Sequence, residues 1–137
     1  MDDVGFLLAK ASQRFNERLV ARFAERGFPK VRASYGSVLV PLFAGGPLRP
    51  GEIAARARLS KQAMTGLLKQ CEGAGLVVRE RDPDDGRAYR ISLTERGGEL
   101  EAVARDVLAE LDREIVARLG SPKRDALIEA LKGVMEL

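Results

Sequence analysis

Midway along the chain the hydrophobic period changes twice, and this limits the folds open to it. Up to Ala74 the apolar residues recur at helical spacing. From Leu76 to Arg81, and again from Ala88 to Leu93, they alternate, and from Thr94 onward the helical spacing returns. A period near 3.6 lines one stripe of a helix, whereas a period of 2 lines alternate faces of a strand. Between the alternating runs lies Asp82-Pro83-Asp84-Asp85-Gly86-Arg87, a run of turn formers. The pattern predicts one β-hairpin with a charged tip inside an otherwise helical chain.

The helices on either side can be bounded from the same text. Phe15, Leu19 and Phe23, extended by Leu8 and Ala11, predict a first helix over roughly Asp3 to Glu25, ended by Gly27, Phe28 and Pro29. A second helix is expected from about Ser34 to Phe43, stopped by Gly45, Gly46 and Pro47. Pro50 and Glu52 suit the first turn of a third helix reaching Ala57. Ser60 is a good N-cap for a fourth, which ends near Ala74 with Gly75 as its stop. Thr94 caps a long fifth helix through Leu100, Ala104, Val107, Leu111 and Ile115. Gly120 breaks it, and Ser121-Pro122 opens a last one carrying Leu127, Leu131 and Val134. Two helices joined by a very short turn and followed by a hairpin are the parts of a winged helix-turn-helix. The expected fold is therefore mainly α with a small β-hairpin wing.

Composition narrows the function classes. With 137 residues and 45% hydrophobic content, one domain-sized core is within reach. Residues 1–48 hold seven Lys or Arg and four Asp or Glu, residues 49–97 ten and seven, and residues 98–137 six and nine. The first two thirds are thus net +6 and the tail net −3, the asymmetry expected if one part faces phosphates and another faces protein. There is no histidine, and Cys71 is the only cysteine. The commonest general base, the commonest metal ligand and any internal disulfide are absent, so no enzyme activity, cofactor or metal is expected. Val38–Phe43 is too short to cross a bilayer, so the expected location is the cytoplasm without membrane attachment.

On the fourth helix Met64, Leu67, Leu68 and Cys71 form one apolar face, and Lys61, Gln62, Thr65 and Lys69 project from the other. A helix held by its apolar stripe can lay its outer face in the major groove of duplex DNA. There Gln pairs with adenine, Lys reaches guanine, and a Thr methyl packs on a thymine methyl. The hairpin strands carry Arg79, Arg81 and Arg90 and the tip carries Arg87, where an arginine is well shaped for the minor groove. The bland alternatives are a solvated helix face and a turn with local ion pairs. Cys71 falls on the buried face, which favours core packing over a redox role.

The chain resembles the multiple-antibiotic-resistance regulator (MarR) family. The resemblance rests on Gly75-Leu76-Val77-Val78-Arg79, on Pro83-Asp84-Asp85-Gly86-Arg87, and on Ile91-Ser92-Leu93-Thr94 with Gly97. Upstream, Glu52-Ile53-Ala54 and Leu59-Ser60 with Ala63-Met64-Thr65 fit as well. The resemblance implies a homodimer with residues 1–33 and 98–137 as dimerisation helices and 34–97 as a winged DNA-binding lobe. It implies a recognition helix at Ser60–Ala74 and a wing at Leu76–Leu93. Arg87 would enter the minor groove, Asp85 would orient the wing arginines, and Ser60 and Thr65 would lie near phosphates or bases. It also implies a repressor that leaves its operator on binding a small aromatic or anionic effector. Gly66 and Gln70 stand where relatives often carry Arg, and Gly86 where the wing often has another basic residue. Independently, the apolar faces of the terminal helices exceed what a small wing domain covers, which favours pairing across a two-fold axis and a pseudo-palindromic DNA site. The competing reading is a winged-helix module for protein interaction or ligand sensing, with weak or lost DNA binding.

Overall fold

The computed structural model describes residues 2–137. Its order is α1 (Val4–Glu25), a 3₁₀ turn at Ala33–Tyr35, α2 (Gly36–Gly45), α3 (Pro50–Ala57), α4 (Lys61–Gly73), β1 (Val77–Asp82), β2 (Asp85–Leu93), α5 (Glu95–Leu119) and α6 (Ser121–Met135). The chain divides into two compact units, one running to Ala104 and one from Arg105 to Leu137.

The first unit is built around the short helices and the hairpin. Val38 and Leu42 from α2, Ile53 from α3, Met64, Leu68 and Cys71 from α4, and Leu76, Ile91 and Leu100 are all buried. Burying an aliphatic side chain of this size contributes about 1.5–3 kcal/mol. The expected apolar face of α4 is present, although Leu67 is only half-buried.

Local chemistry sets the element ends. Asp3 caps α1 by accepting from the Phe6 amide at 2.7 Å. Ser60 caps α4 by accepting from the Ala63 amide at 3.1 Å. Gly75, at φ 77°, ends α4 in the left-handed conformation. Thr94 does two jobs: its hydroxyl donates to the Gly75 carbonyl at 2.6 Å and accepts from the Gly97 amide at 3.0 Å. The first turn of α5 is thereby tied to the end of α4. A Cβ on Gly97 would collide with the Leu76 carbonyl oxygen, so the backbones approach here more closely than any other residue allows.

Three details differ from the sequence expectation. The second helix is preceded by a 3₁₀ turn and runs on to Gly45. The turn between α3 and α4 places Arg58 in the left-handed region at φ 56°, with no glycine to announce it. The hairpin also continues closer to its tip than the alternation indicated, with Asp82 paired to Asp85 and only Pro83 and Asp84 between them. The aspartates explain this: Asp82 accepts from the Asp84 amide at 2.9 Å and Asp85 from the Arg87 amide at 3.0 Å, so the turn amides are satisfied by side chains. The ladder pairs Val77 with Leu93 through Arg81 with Tyr89, and its register shifts between Arg81 and Asp82. Leu48 adds a third rung beyond β2, exchanging backbone bonds with Ile91 at 3.1 and 2.7 Å.

In the second unit, Val107 and Leu111 are buried, whereas α6 has no buried residue. Arg124 of α6 holds Asp112 of α5 at 2.8 Å. No helix among the described residues is long and apolar enough to cross a membrane.

Candidate nucleic-acid interface

The residues expected to meet DNA fall into two sets once their surroundings are known. On α4, Lys61, Gln62, Thr65 and Lys69 are all exposed. The side chains of Lys61, Gln62 and Lys69 have no hydrogen-bond or ion-pair partner among the described residues. Thr65 donates its hydroxyl to the Lys61 carbonyl at 2.9 Å, which leaves its methyl as the group it can offer. Met64, Leu68 and Cys71 anchor the opposite face, so the outer face is presented on a rigid support. Ser60 is engaged as the helix cap, which makes it first a structural residue.

The hairpin is different. Arg79 pairs with Glu72 of α4 at 2.7 Å, and its guanidinium lies over the Tyr89 ring at 4.5 Å. Donating to the Glu72 carboxylate makes the Arg79 guanidinium hold its proton more tightly than usual. Arg79 is thus a strut between α4 and the hairpin. Arg81 reaches across the hairpin to the Gly86 carbonyl at 2.9 Å. Arg90 lies 3.6 Å from Glu80, which also accepts from the Ser92 hydroxyl at 2.8 Å. Only Arg87 keeps a guanidinium with no partner among the described residues, while Asp85 fixes its backbone.

Two residues without a sequence signal join this arrangement. Arg49, the residue preceding α3, holds Asp82 at 2.8 Å across 33 positions of chain. Asp82 is only 9% exposed although it stands at the hairpin tip. The Asp84 amide, and then Arg49, hold its carboxyl below the usual carboxylate range. Tyr89 supplies the face on which Arg79 rests. Neither contact leaves a local period or spacing, so only tertiary structure reveals them.

Cys71 is fully buried, and burial pushes its thiol up to about 12. A sensor thiol needs the opposite surroundings, exposed and of low pKa. No cluster of three potential metal ligands occurs among the described residues.

Residues 42–88 match the model of the MarR family. An HTH-type transcriptional regulator of Mycobacterium leprae is 36% identical over 107 residues, which span 78% of this chain and 75% of the relative. The chain belongs to the MarR family of transcriptional regulators. A Mycobacterium bovis regulator of the HTH type is 34% identical over 123 residues, 90% of this chain and 84% of its own. Among solved structures, the transcriptional repressor CouR bound to a 23-mer DNA duplex superposes with a TM-score of 0.82 at 28% identity, covering 98% of this chain and 93% of that one. The family and its winged-helix fold are those of regulators rather than enzymes. In this MarR-family member the matched segment runs from α2 to the start of β2 and so contains α4 and the hairpin tip.

Proposed function

We propose that this regulator is a sequence-specific repressor that binds duplex DNA as a homodimer and is released by a small molecule. One observation carries the DNA-binding part. Lys61, Gln62 and Lys69 on α4, and Arg87 on the wing, are exposed and unpartnered, while the neighbouring basic side chains Arg49, Arg79 and Arg81 are bound within the protein. On this reading α4 lies in the major groove, where Gln62 and Lys69 read base edges, Thr65 packs on a thymine methyl and Lys61 steadies a phosphate. Arg87 enters the adjacent minor groove. Ser60, Asp85, Arg79, Arg81 and Arg90 support these contacts by capping, bracing and orienting. Likeness to a DNA-bound repressor supports the same reading.

The homodimer is supported by apolar surface that each unit leaves open. Val4, Phe6 and Leu7 of α1 are about half exposed or more, and Leu127, Leu131 and Val134 of α6 are each 40% exposed. On α1, only Phe23 of the expected stripe is buried. A partner copy covering residues 1–33 and 98–137 would remove these side chains from water, leaving 34–97 as the DNA-binding lobe. Two-fold pairing sets the recognition helices about one DNA turn apart and calls for a pseudo-palindromic operator. Release would follow from an aromatic or anionic effector that favours one spacing of the two lobes.

The test is a gel-shift titration on duplex DNA from upstream of the chain's own gene, at two salt concentrations. Binding should weaken with salt by a log–log slope of about −0.9 per phosphate neutralised. Absent binding, or binding indifferent to salt, overturns the reading in favour of an interaction module on a winged-helix scaffold.

A further inference from the structure

A two-stranded hairpin is marginal on its own in water, so a wing must take its direction from whatever it is anchored to. Here the anchor at the outer end is unusual. Arg81, Pro83, Asp84 and Asp85 are exposed, yet Asp82 among them is 9% exposed, and both of its carboxylate oxygens are occupied. One oxygen accepts from the Asp84 amide at 2.9 Å and the other from Arg49 Nε at 2.8 Å. Arg49 is itself fixed. Its backbone amide donates to the Glu52 carboxylate at 3.0 Å, at the start of α3, and the preceding Leu48 forms the extra rung with Ile91. The register shift at Arg81/Asp82 falls at the same point, and such irregularities re-aim a strand.

We infer that Arg49 is a positioning residue for DNA binding: by clasping Asp82 it fixes the wing turn, and through it Arg87, to the start of α3. The contacts form a continuous chain from Glu52 to Arg49, to Asp82, to the two-residue turn, and through Asp85 to the Arg87 backbone. The inference rests on the DNA-binding reading above and deepens it. Its distinguishing consequence is one of sign. Removing a carboxylate beside a polyanion should strengthen binding if only net charge matters. If the clasp aims the wing, removing that carboxylate must weaken binding.

The experiment measures fluorescence anisotropy of a labelled upstream duplex against the full chain and its variants across a salt series. Asp82→Asn should bind about tenfold more weakly, the loss expected when a charge-assisted bond worth about 1.5 kcal/mol no longer holds the contact in place. Arg49→Ala should weaken binding similarly, and most of that loss should vanish when Arg87 is also replaced by Ala, because both changes then remove the same contact. Equal or tighter binding by Asp82→Asn overturns the inference. So does a loss for Arg49→Ala that is undiminished when Arg87 is also replaced by Ala, which would make Arg49 a contact independent of the wing arginine. Should Arg49→Ala not fold, Arg49→Lys keeps the charge without the Nε geometry and should still lose affinity. Hydrogen exchange at the Asp84 and Arg87 amides, which does not depend on DNA, should quicken in Asp82→Asn while core amides stay slow. If the parent binds no duplex, the DNA reading fails on its own account, and unchanged exchange at those two amides then overturns the clasp.

Discussion

Helix α4 and the wing use their charged residues in opposite ways. On α4, Lys61 and Lys69 stand free, and the helix is held by apolar packing of Met64, Leu68 and Cys71. The hairpin is packed at its base through Val77 and Ile91, and beyond that its arginines do the holding: Arg79 braces it to Glu72, Arg81 ties it across, and Arg49 clasps it from outside. A count of basic residues would make the wing the stronger DNA-binding element. The partners show instead that one wing arginine, Arg87, is available. The general lesson is that charge predicts a nucleic-acid contact only after the ion pairs within the protein have been assigned.

The largest way to break this contrast is at the joint of the two regions. Gly97→Ala would drive a methyl into the Leu76 carbonyl, where the obstacle is backbone and cannot swing aside. The expected loss is about 1–3 kcal/mol or more of stability, read as a lower midpoint in denaturant unfolding. An unchanged midpoint would show that α5 can shift away from the hairpin base at little cost.

Next in size is the split among wing arginines. Arg87→Ala should reduce affinity for all sequences by about tenfold and make the salt slope shallower by about 0.9 per site lost. Arg79→Ala should leave that slope unchanged and instead lower the melting temperature, because its partner is Glu72. Matching salt slopes for the two variants would erase the proposed division of labour.

Acid should loosen the clasp that holds the wing. The carboxyl of Asp82 is held below its ordinary value of 3.8, so its contribution to stability is present above that pH and is lost as pH falls through the lowered folded value. Stability measured against pH should therefore decline less steeply below about pH 4 in Asp82→Asn than in the parent. Identical acid limbs would detach Asp82 from the wing's stability.

The smallest expected effect concerns Gly66, which has open space around the position of a Cβ. Gly66→Ala should stabilise the helix by at most about 1 kcal/mol, and a melting curve checks it. A loss of DNA affinity on that change would mean that the DNA approaches α4 closely at this point.

Much of this was legible in the sequence because it is written in local patterns. The hairpin showed through its alternation, the α4 cap through Ser60, and the α5 cap through Thr94. The exposed face of α4 followed from helical spacing alone. What escaped was non-local. Nothing near Arg49 announces a partner 33 residues away, and nothing near Glu72 announces Arg79. Arg58 adopts a left-handed backbone where a reader looks for glycine, so the tightness of the α3–α4 turn had no residue-level sign. Local ion pairs of the wing arginines were visible as an alternative, but their partners Glu72 and Glu80 were not, because pairing depends on register, and register is set by the whole hairpin.

The central claim is that α4 reads bases while the wing adds one arginine in the minor groove. Selection of bound duplexes from random DNA, run in parallel with the parent and Gln62→Ala, tests it most directly. The account expects the parent to enrich a two-fold-symmetric motif. It expects Gln62→Ala to relax preference at one position in each half-site, a change of about 1–3 kcal/mol in discrimination, with the rest of the motif intact. Enrichment of no motif, or of the same motif at every position by both proteins, would contradict it.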